Sequence, residues 1–162
     1  MARPIGADVV IPTAAPLGRM RLALLRLRGR GRVVVEGRVT LGRAVRVIVA
    51  PGARVVLGDE CFLGDGARIE AAAGDVRIGA RTLIGARAIV VSLAGVSVGA
   101  DCVIGEFAAI APGDPPLRRE PVQLGDRVRI GAHAAVLPGA TLAAGTVVGS
   151  YVVVAGEEAR SA

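Results

Sequence analysis

The sequence predicts an all-β fold, a triangular solenoid of stacked coils with parallel strand pairing. Three observations carry that prediction. A six-residue unit, aliphatic-Gly-any-any-small-any, recurs eleven times between Leu41 and Val152. Apolar residues make up 52% of the chain but aromatics only 2%, and there is no Trp. Burial therefore falls to Val, Leu, Ile and Ala, which fill a narrow core. Finally, 23 of the 162 residues are Gly, a large number of special backbone positions. A fixed short period of this kind is the signature of a stacked-repeat architecture.

Taken in chain order, residues 1–32 form an N-terminal segment. Within it, Leu17–Arg32 places Met20, Ala23, Leu24 and Leu27 on one helical face, with Arg19, Arg26 and Arg30 elsewhere. A short helix capping the first coil is expected; a basic amphipathic helix is also able to touch an anionic membrane surface. The solenoid occupies residues 33–156. It opens with the looser unit Leu41-Gly42…Val45, and paired units follow, among them Leu57-Gly58…Cys61 with Leu63-Gly64…Ala67 and Ile78-Gly79…Thr82 with Ile84-Gly85…Ala88. Next come Val98-Gly99…Cys102 with Ile104-Gly105…Ala108, and Leu124-Gly125…Val128 with Ile130-Gly131…Ala134. Leu142-Ala143…Thr146 with Val148-Gly149…Val152 closes the series before a tail at 157–162. Each unit reads as a short strand and a turn, its aliphatic and small residues pointing inward, so three units close a coil of about 18 residues. The fourth position of each unit lies at the turn, where φ > 0 is often needed. Gly66, Asp101 and His133 occupy it, as do Arg81, Arg87 and Arg127.

The third side of each coil varies. Ile69–Arg77, Val90–Ser97, Ile110–Gln123 and Val136–Thr141 are nine, eight, fourteen and six residues long. Only loop 110–123 is a substantial insertion, and a loop extruded from a rigid solenoid is where function is expected.

Composition narrows the partners. The formal net charge is +6, with every basic residue an Arg. The arginines are dispersed and the sequence shows no aromatic platform beside them, which argues against nucleic acid. Cys61 and Cys102 take the same repeat position, outside any CxxC spacing, so they read as core residues; no metal site is expected. The N-terminus lacks an apolar stretch of signal-peptide length, giving a cytoplasmic expectation. Residues Ala132–Gly156 carry no Asp, Glu, Lys or Arg. That run contains Pro138 and four Gly and keeps the soluble repeat's period, so it is not read as a membrane helix.

The repeats resemble the left-handed parallel β-helix of the hexapeptide-repeat acyltransferase superfamily, over roughly residues 33–154. "VQLGDRVRIGAHAAVLPGATLAAGTVVGSYVVVAG" looks like the closing coils of its sugar and maltose O-acetyltransferase branch. The resemblance implies the handedness, an exception to right-handed crossover. It also implies acetyl-CoA as co-substrate, a small-molecule acceptor and a homotrimer with sites between subunits. Members commonly carry a general-base His in the inserted loop. Here the loop reads "IAPGDPPLRREPVQ" and has none. The candidate bases are Asp114, near the family's acidic residue and His, and His133, the chain's one His. Asp114 also fits an ordinary turn, and His133 a turn residue or a coenzyme A contact. The resemblance places the coenzyme groove along Gly131, Ala132, His133, Ala134, Gly149 and Ser150. Arg118 and Arg119 are candidates for binding an acceptor carboxylate or phosphate. The missing loop His leaves two readings: an acyltransferase with an atypical site, or a non-catalytic β-helix trimer that binds ligands or scaffolds a partner. A zinc-dependent carbonic anhydrase on this scaffold would need three His ligands and is excluded.

Overall fold

A computed structural model of the chain describes residues 31–111 and 119–156, together with the backbone of Ala7–Val10 and residues 23 and 27. The repeat wraps into a three-faced parallel solenoid. Face A has seven strands: β1 (Ala7–Val10), β4 (Arg46–Val49), β7 (Arg68–Ala71), β10 (Ile89–Ser92), β13 (Ala109–Ile110), β16 (Ala135–Val136) and β19 (Val153–Val154). Face B stacks β2 (Val33–Val35), β5 (Val55–Leu57), β8 (Val76–Ile78), β11 (Val96–Val98), β14 (Val122–Leu124) and β17 (Thr141–Leu142). Face C stacks β3 (Val39–Leu41), β6 (Cys61–Leu63), β9 (Leu83–Ile84), β12 (Val103–Ile104), β15 (Arg129–Ile130) and β18 (Val147–Val148). Every strand meets its counterpart one coil away, as in Val90↔Ile110 and Ile104↔Ile130. The arrangement matches the left-handed β-helix.

Strand alternation explains the core. In β5, β6, β8 and β11 the two end residues are buried and the middle one faces outward. Leu57, Leu63 and Ile69 of one coil lie beneath Ile78, Ile84 and Val90 of the next, all buried. Small residues stack likewise: Ala67, Ala88, Ala108 and Ala134 form a buried line along the C–A edge. Cys61, Thr82 and Cys102 form its counterpart along the B–C edge. There each side chain donates to the carbonyl of the glycine one coil on: Cys61 Sγ to Gly79 (2.9 Å), Thr82 Oγ1 to Gly99 (2.8 Å) and Cys102 Sγ to Gly125 (3.2 Å). Burial pushes both thiols up from their ordinary value, keeping them as donors.

The two turn positions have separate reasons. At the glycine of the motif, coils approach too closely for a side chain. A Cβ on Gly105 would lie 2.6 Å from Ala132 N, and one on Gly85 2.6 Å from Glu106 N. Ala143 is allowed the same position because β17 ends face B, and no described strand stacks on it. The fourth position is left-handed in all eleven units, with φ between 53° and 79° from Ala44 through Gly145 to Tyr151. Aspartates add stitches between coils: Asp59, Asp65 and Asp126 accept from the backbone N–H of Arg38, Arg43 and Ala100 at 2.7–2.8 Å.

The N-terminal segment contains an element that the repeat does not announce. Ala7–Val10 pairs antiparallel with β4, Ala7 opposite Val49, and extends face A by one strand. Ala23 and Leu27 are helical and exposed, Leu27 at 76%. The remainder of the expected helix up to Arg30 lies outside the described residues, as does the 157–162 tail. No described helix is long and apolar enough to cross a membrane.

Candidate functional site

The turns between faces C and A bring most of the expected coenzyme residues together. Gly131, Ala132 and His133 form one turn, and Gly149, Ser150 and Tyr151 form the turn stacked on it. A Cβ on Gly131 would sit 2.6 Å from Gly149 C. The two turns are joined by Gly131 N–H donating to Val148 O (2.8 Å) and Tyr151 N–H donating to Ala132 O (3.0 Å). Ala134 differs from the expectation. The repeat turns its side chain into the core, 1% exposed, so it lines no groove.

His133 is held by rings. Its plane stacks between Phe107 (centroids 4.8 Å apart) and Tyr151 (5.0 Å), each within 4° of parallel. The Arg87 guanidinium lies 5.7 Å from the Phe107 centroid. All four residues take the left-handed fourth position of consecutive C–A turns, with φ of 55–62°. His133 N–H donates to Glu106 O (2.9 Å), while neither ring nitrogen has a hydrogen-bond partner among the described residues. Sequence reasoning found no aromatic platform because these rings are 26 and 18 residues apart. The signal that could have revealed it was their shared repeat position.

The loop lies elsewhere. Its described roots, Ala111 on one side and Arg119, Glu120 and Pro121 on the other, stand at the A–B edge. Arg119 is exposed; Asp114 and Arg118 lie outside the described residues. Because β13 and β16 separate the A–B and C–A edges, the loop roots and His133 stand on opposite margins of face A within one chain.

Two grooves accompany these edges. On face C, Phe62, Leu83 and Val103 form an apolar floor beside Gly64, Gly85, Gly105 and Glu106, enclosing about 580 Å³. The floor residues are the outward members of β6, β9 and β12, in register, so the groove runs along the solenoid axis. Sequence reasoning missed it, since the alternation marks these positions only as exposed. On face B a smaller groove of about 290 Å³ is lined by Arg77, Ser97 and Gln123 and by Pro121 at the loop root.

The B–C edge carries charge in place of rings. Arg38 pairs with Glu60 (2.7 Å), and Arg81 makes a two-pronged contact with Asp101 (2.7 and 2.8 Å). Hydrogen bonding to Arg81 holds the Asp101 carboxyl below the usual carboxylate range. Among the described residues no three His, Cys, Asp or Glu side chains cluster as metal ligands would.

Comparison with known proteins agrees with the repeat. Residues 75–105 match the model described as a hexapeptide repeat of succinyl-transferase, and residues 121–156 match the bacterial transferase hexapeptide of six repeats. The chain is similar to the probable acetyltransferase Rv3034c of Mycobacterium tuberculosis, 26% identical over 76% of this chain and 46% of that protein. It thus spans about half the length of this curated relative. Repeat, coil geometry and both family matches agree: residues 75–105 and 121–156 carry the hexapeptide repeat of bacterial transferases, and the chain is similar to the hexapeptide-repeat acyltransferase superfamily.

Proposed function

We propose that the protein transfers an acyl group, acetyl in the first instance, from an acyl-CoA to a hydroxyl or amine of a small, sugar-like acceptor. The observation that carries this reading is the axial groove on face C, which passes the glycine-rimmed turns at the C–A edge. A long, narrow, flexible thioester arm fits an apolar channel whose rim has no side chains at Gly64, Gly85 and Gly105. In the reaction a base takes the acceptor's proton as its oxygen or nitrogen attacks the thioester carbon. The C–S bond breaks, and the coenzyme leaves as a thiolate that takes up a proton. His133 is one candidate base, because its ring is held on both faces while its nitrogens have no hydrogen-bond partner among the described residues. Asp114 is the other. Arg118 and Arg119 are assigned to an anionic group on the acceptor. We place the protein in the cytoplasm as a homotrimer. The exposed apolar run Phe62, Leu83 and Val103 on face C, continued past Arg129 by Val147, supports self-association.

A second reading, a non-catalytic ligand-binding trimer, is favoured by one feature. No carboxylate orients the His133 ring among the described residues, whereas an activated base is ordinarily oriented by a third group. Calorimetry with acetyl-CoA, followed by thiol-release assays across sugar and amine acceptors, separates the two. His133→Ala or Asp114→Asn should lower turnover about 10²–10⁴-fold in whichever variant removes the base. Absence of binding heat at millimolar acetyl-CoA overturns the acyl-CoA reading. Binding without turnover on any acceptor leaves the scaffold.

A further inference from the structure

The charges of the chain are sorted along the solenoid axis. Residues 1–54 hold eleven of the twenty arginines and two of the fourteen acids, a net +9. Residues 55–162 hold nine and twelve, a net −3. Within the solenoid the break falls between the first two coils. Residues 31–54 have five Arg against Glu36, while residues 55–75 have Arg68 against Asp59, Glu60, Asp65, Glu70 and Asp75. A basic coil beside an acidic one gives the rod an axial dipole with its positive pole toward the first coil.

The basic coil presents its charge on every side. Arg38 stands at the B–C edge, Arg43 at the C–A edge and Arg54 at the A–B edge, with Arg46 opening β4 on face A. All four are exposed. At each edge the arginine's backbone N–H donates to an aspartate of the second coil, Asp59, Asp65 or Asp75, at 2.7–2.8 Å. Those carboxylates stitch the coils, and of the four guanidinium groups only that of Arg38 has an ion pair among the described residues, with Glu60. Arg46 lies in register with Arg68 on β7, cation beside cation.

Such a collar suits a broad anionic surface. Its arginines diverge around three edges, so they do not converge on one small anion. Residues 1–54 contain no Phe, Tyr, Trp or His, so the collar offers no stacking platform for nucleic-acid bases. An apolar group accompanies the charge instead. Leu27, helical and 76% exposed, sits between Arg26 and Arg28 in the sequence. Arginine beside exposed leucine is the combination that binds at the boundary of headgroups and acyl chains.

We propose that the arginine collar of the first coil, with Leu27, docks the protein on an anionic phospholipid bilayer. The acidic second coil is repelled by the same surface, so the solenoid stands away from it. The C–A turn of His133 is the fourth above that of Arg43, roughly 19 Å along the axis at ordinary strand spacing, which keeps the candidate site clear of the lipid. The docking does not depend on the acyl-CoA reading and holds equally for a non-catalytic protein.

Co-sedimentation of the full chain with vesicles tests the docking. Phosphatidylcholine vesicles containing phosphatidylserine should retain the protein, and pure phosphatidylcholine should not. Raising salt from about 0.1 M to about 1 M shortens the screening length from about 10 Å to about 3 Å and should release most of it. Arg46→Gln should weaken partitioning about fivefold, and the triple variant Arg43→Gln, Arg46→Gln, Arg54→Gln about 100-fold. A matched triple variant on later coils, Arg77→Gln, Arg127→Gln, Arg129→Gln, removes the same net charge and should bind nearly as the parent does, because those sites lie beyond a screening length from the surface. Leu27→Ser should weaken binding roughly tenfold without changing its salt dependence. Melting curves should show every variant folded. Equal retention by the two kinds of vesicle overturns the proposal, as do equal losses in the two triple variants, which would mean that net charge alone acts. Tighter binding to a DNA duplex than to the anionic vesicles at the same salt overturns it as well.

Discussion

Replacing Gly105 by Ala adds one methyl group where two coils touch. The new Cβ would lie 2.6 Å from Ala132 N, 2.7 Å from Gly131 C and 2.8 Å from Ile130 O. All three atoms belong to backbone fixed by ladder bonds, including Gly105 N–H to Ile130 O at 2.8 Å, so none can move as a flexible side chain would. Reaching ordinary contact near 3.4 Å requires a shift of roughly 0.6–0.8 Å in a close-packed solenoid. Overpacking of that kind costs about 1–3 kcal/mol. For a chain of this size each kcal/mol lowers Tm by about 2–4 °C, so the expected loss is roughly 2–12 °C. The control is Gly149→Ala, whose Cβ meets only the Val152 side chain at 3.5 Å in a backbone without positive φ. That variant should match or exceed the parent, since replacing glycine also restricts the unfolded chain. Thermal unfolding followed by circular dichroism measures both. Equal losses at the two sites, or none at Gly105, would show that close approach of coils is not why the repeat keeps its glycine.

Three further outcomes follow from the B–C edge. Thr82→Val removes the hydroxyl that bonds Gly99 O and accepts from Cys102 N–H at 3.2 Å, leaving buried partners unmet. It should cost about 1–3 kcal/mol in denaturant unfolding, and Thr82→Ser distinctly less. Cys61 and Cys102 have thiol values raised by burial, so the unfolded chain ionises first. Their contribution is intact below the ordinary thiol pKa and lost as pH rises through the raised one, an alkaline decline that a Cys61→Ala, Cys102→Ala double variant should flatten. Asp101 is depressed by Arg81, so its contribution is present above the ordinary carboxylate range and lost on acidification; Asp101→Asn should blunt the acid limb of a Tm-against-pH curve.

The solenoid was legible because its two constraints are local. Glycine where coils touch recurs in every unit but the one with Ala143, and a left-handed turn two residues later recurs in all of them, whatever the partner coil contains. The variable third sides follow by subtraction from the strict units, and each begins in a face A strand and ends within the next face B strand. Strand β1 was not legible: "ADVV" is too short to show a period, and its antiparallel pairing with β4 is a contact across nearly forty residues. The ladder of Phe107, His133 and Tyr151 was legible only in principle, through shared repeat position, because the insertion between β13 and β14 upsets simple counting. Asp114 and Arg118 belong to that insertion, where no repeat constrains the chain.

The glycine spine and the ladder are one mechanical system, because ring spacing is set by coil spacing. Gly131 is the test of that coupling. A Cβ there would lie 2.6 Å from Gly149 C, so Gly131→Ala must push the last described turn away from the one beneath it. Among the described residues only one C–A turn lies above Gly131, so the stability loss should be smaller than for Gly105→Ala, which sits beneath two. The His133–Tyr151 spacing of 5.0 Å, however, opens directly. Tyr151 emission should therefore change in Gly131→Ala without ligand, while a Gly58→Ala variant several coils away melts lower and leaves the emission of the folded protein unchanged. If both variants leave Tyr151 emission as it was, the rings are not carried by the coils, and the ladder is a coincidence of side-chain rotamers rather than a consequence of the repeat.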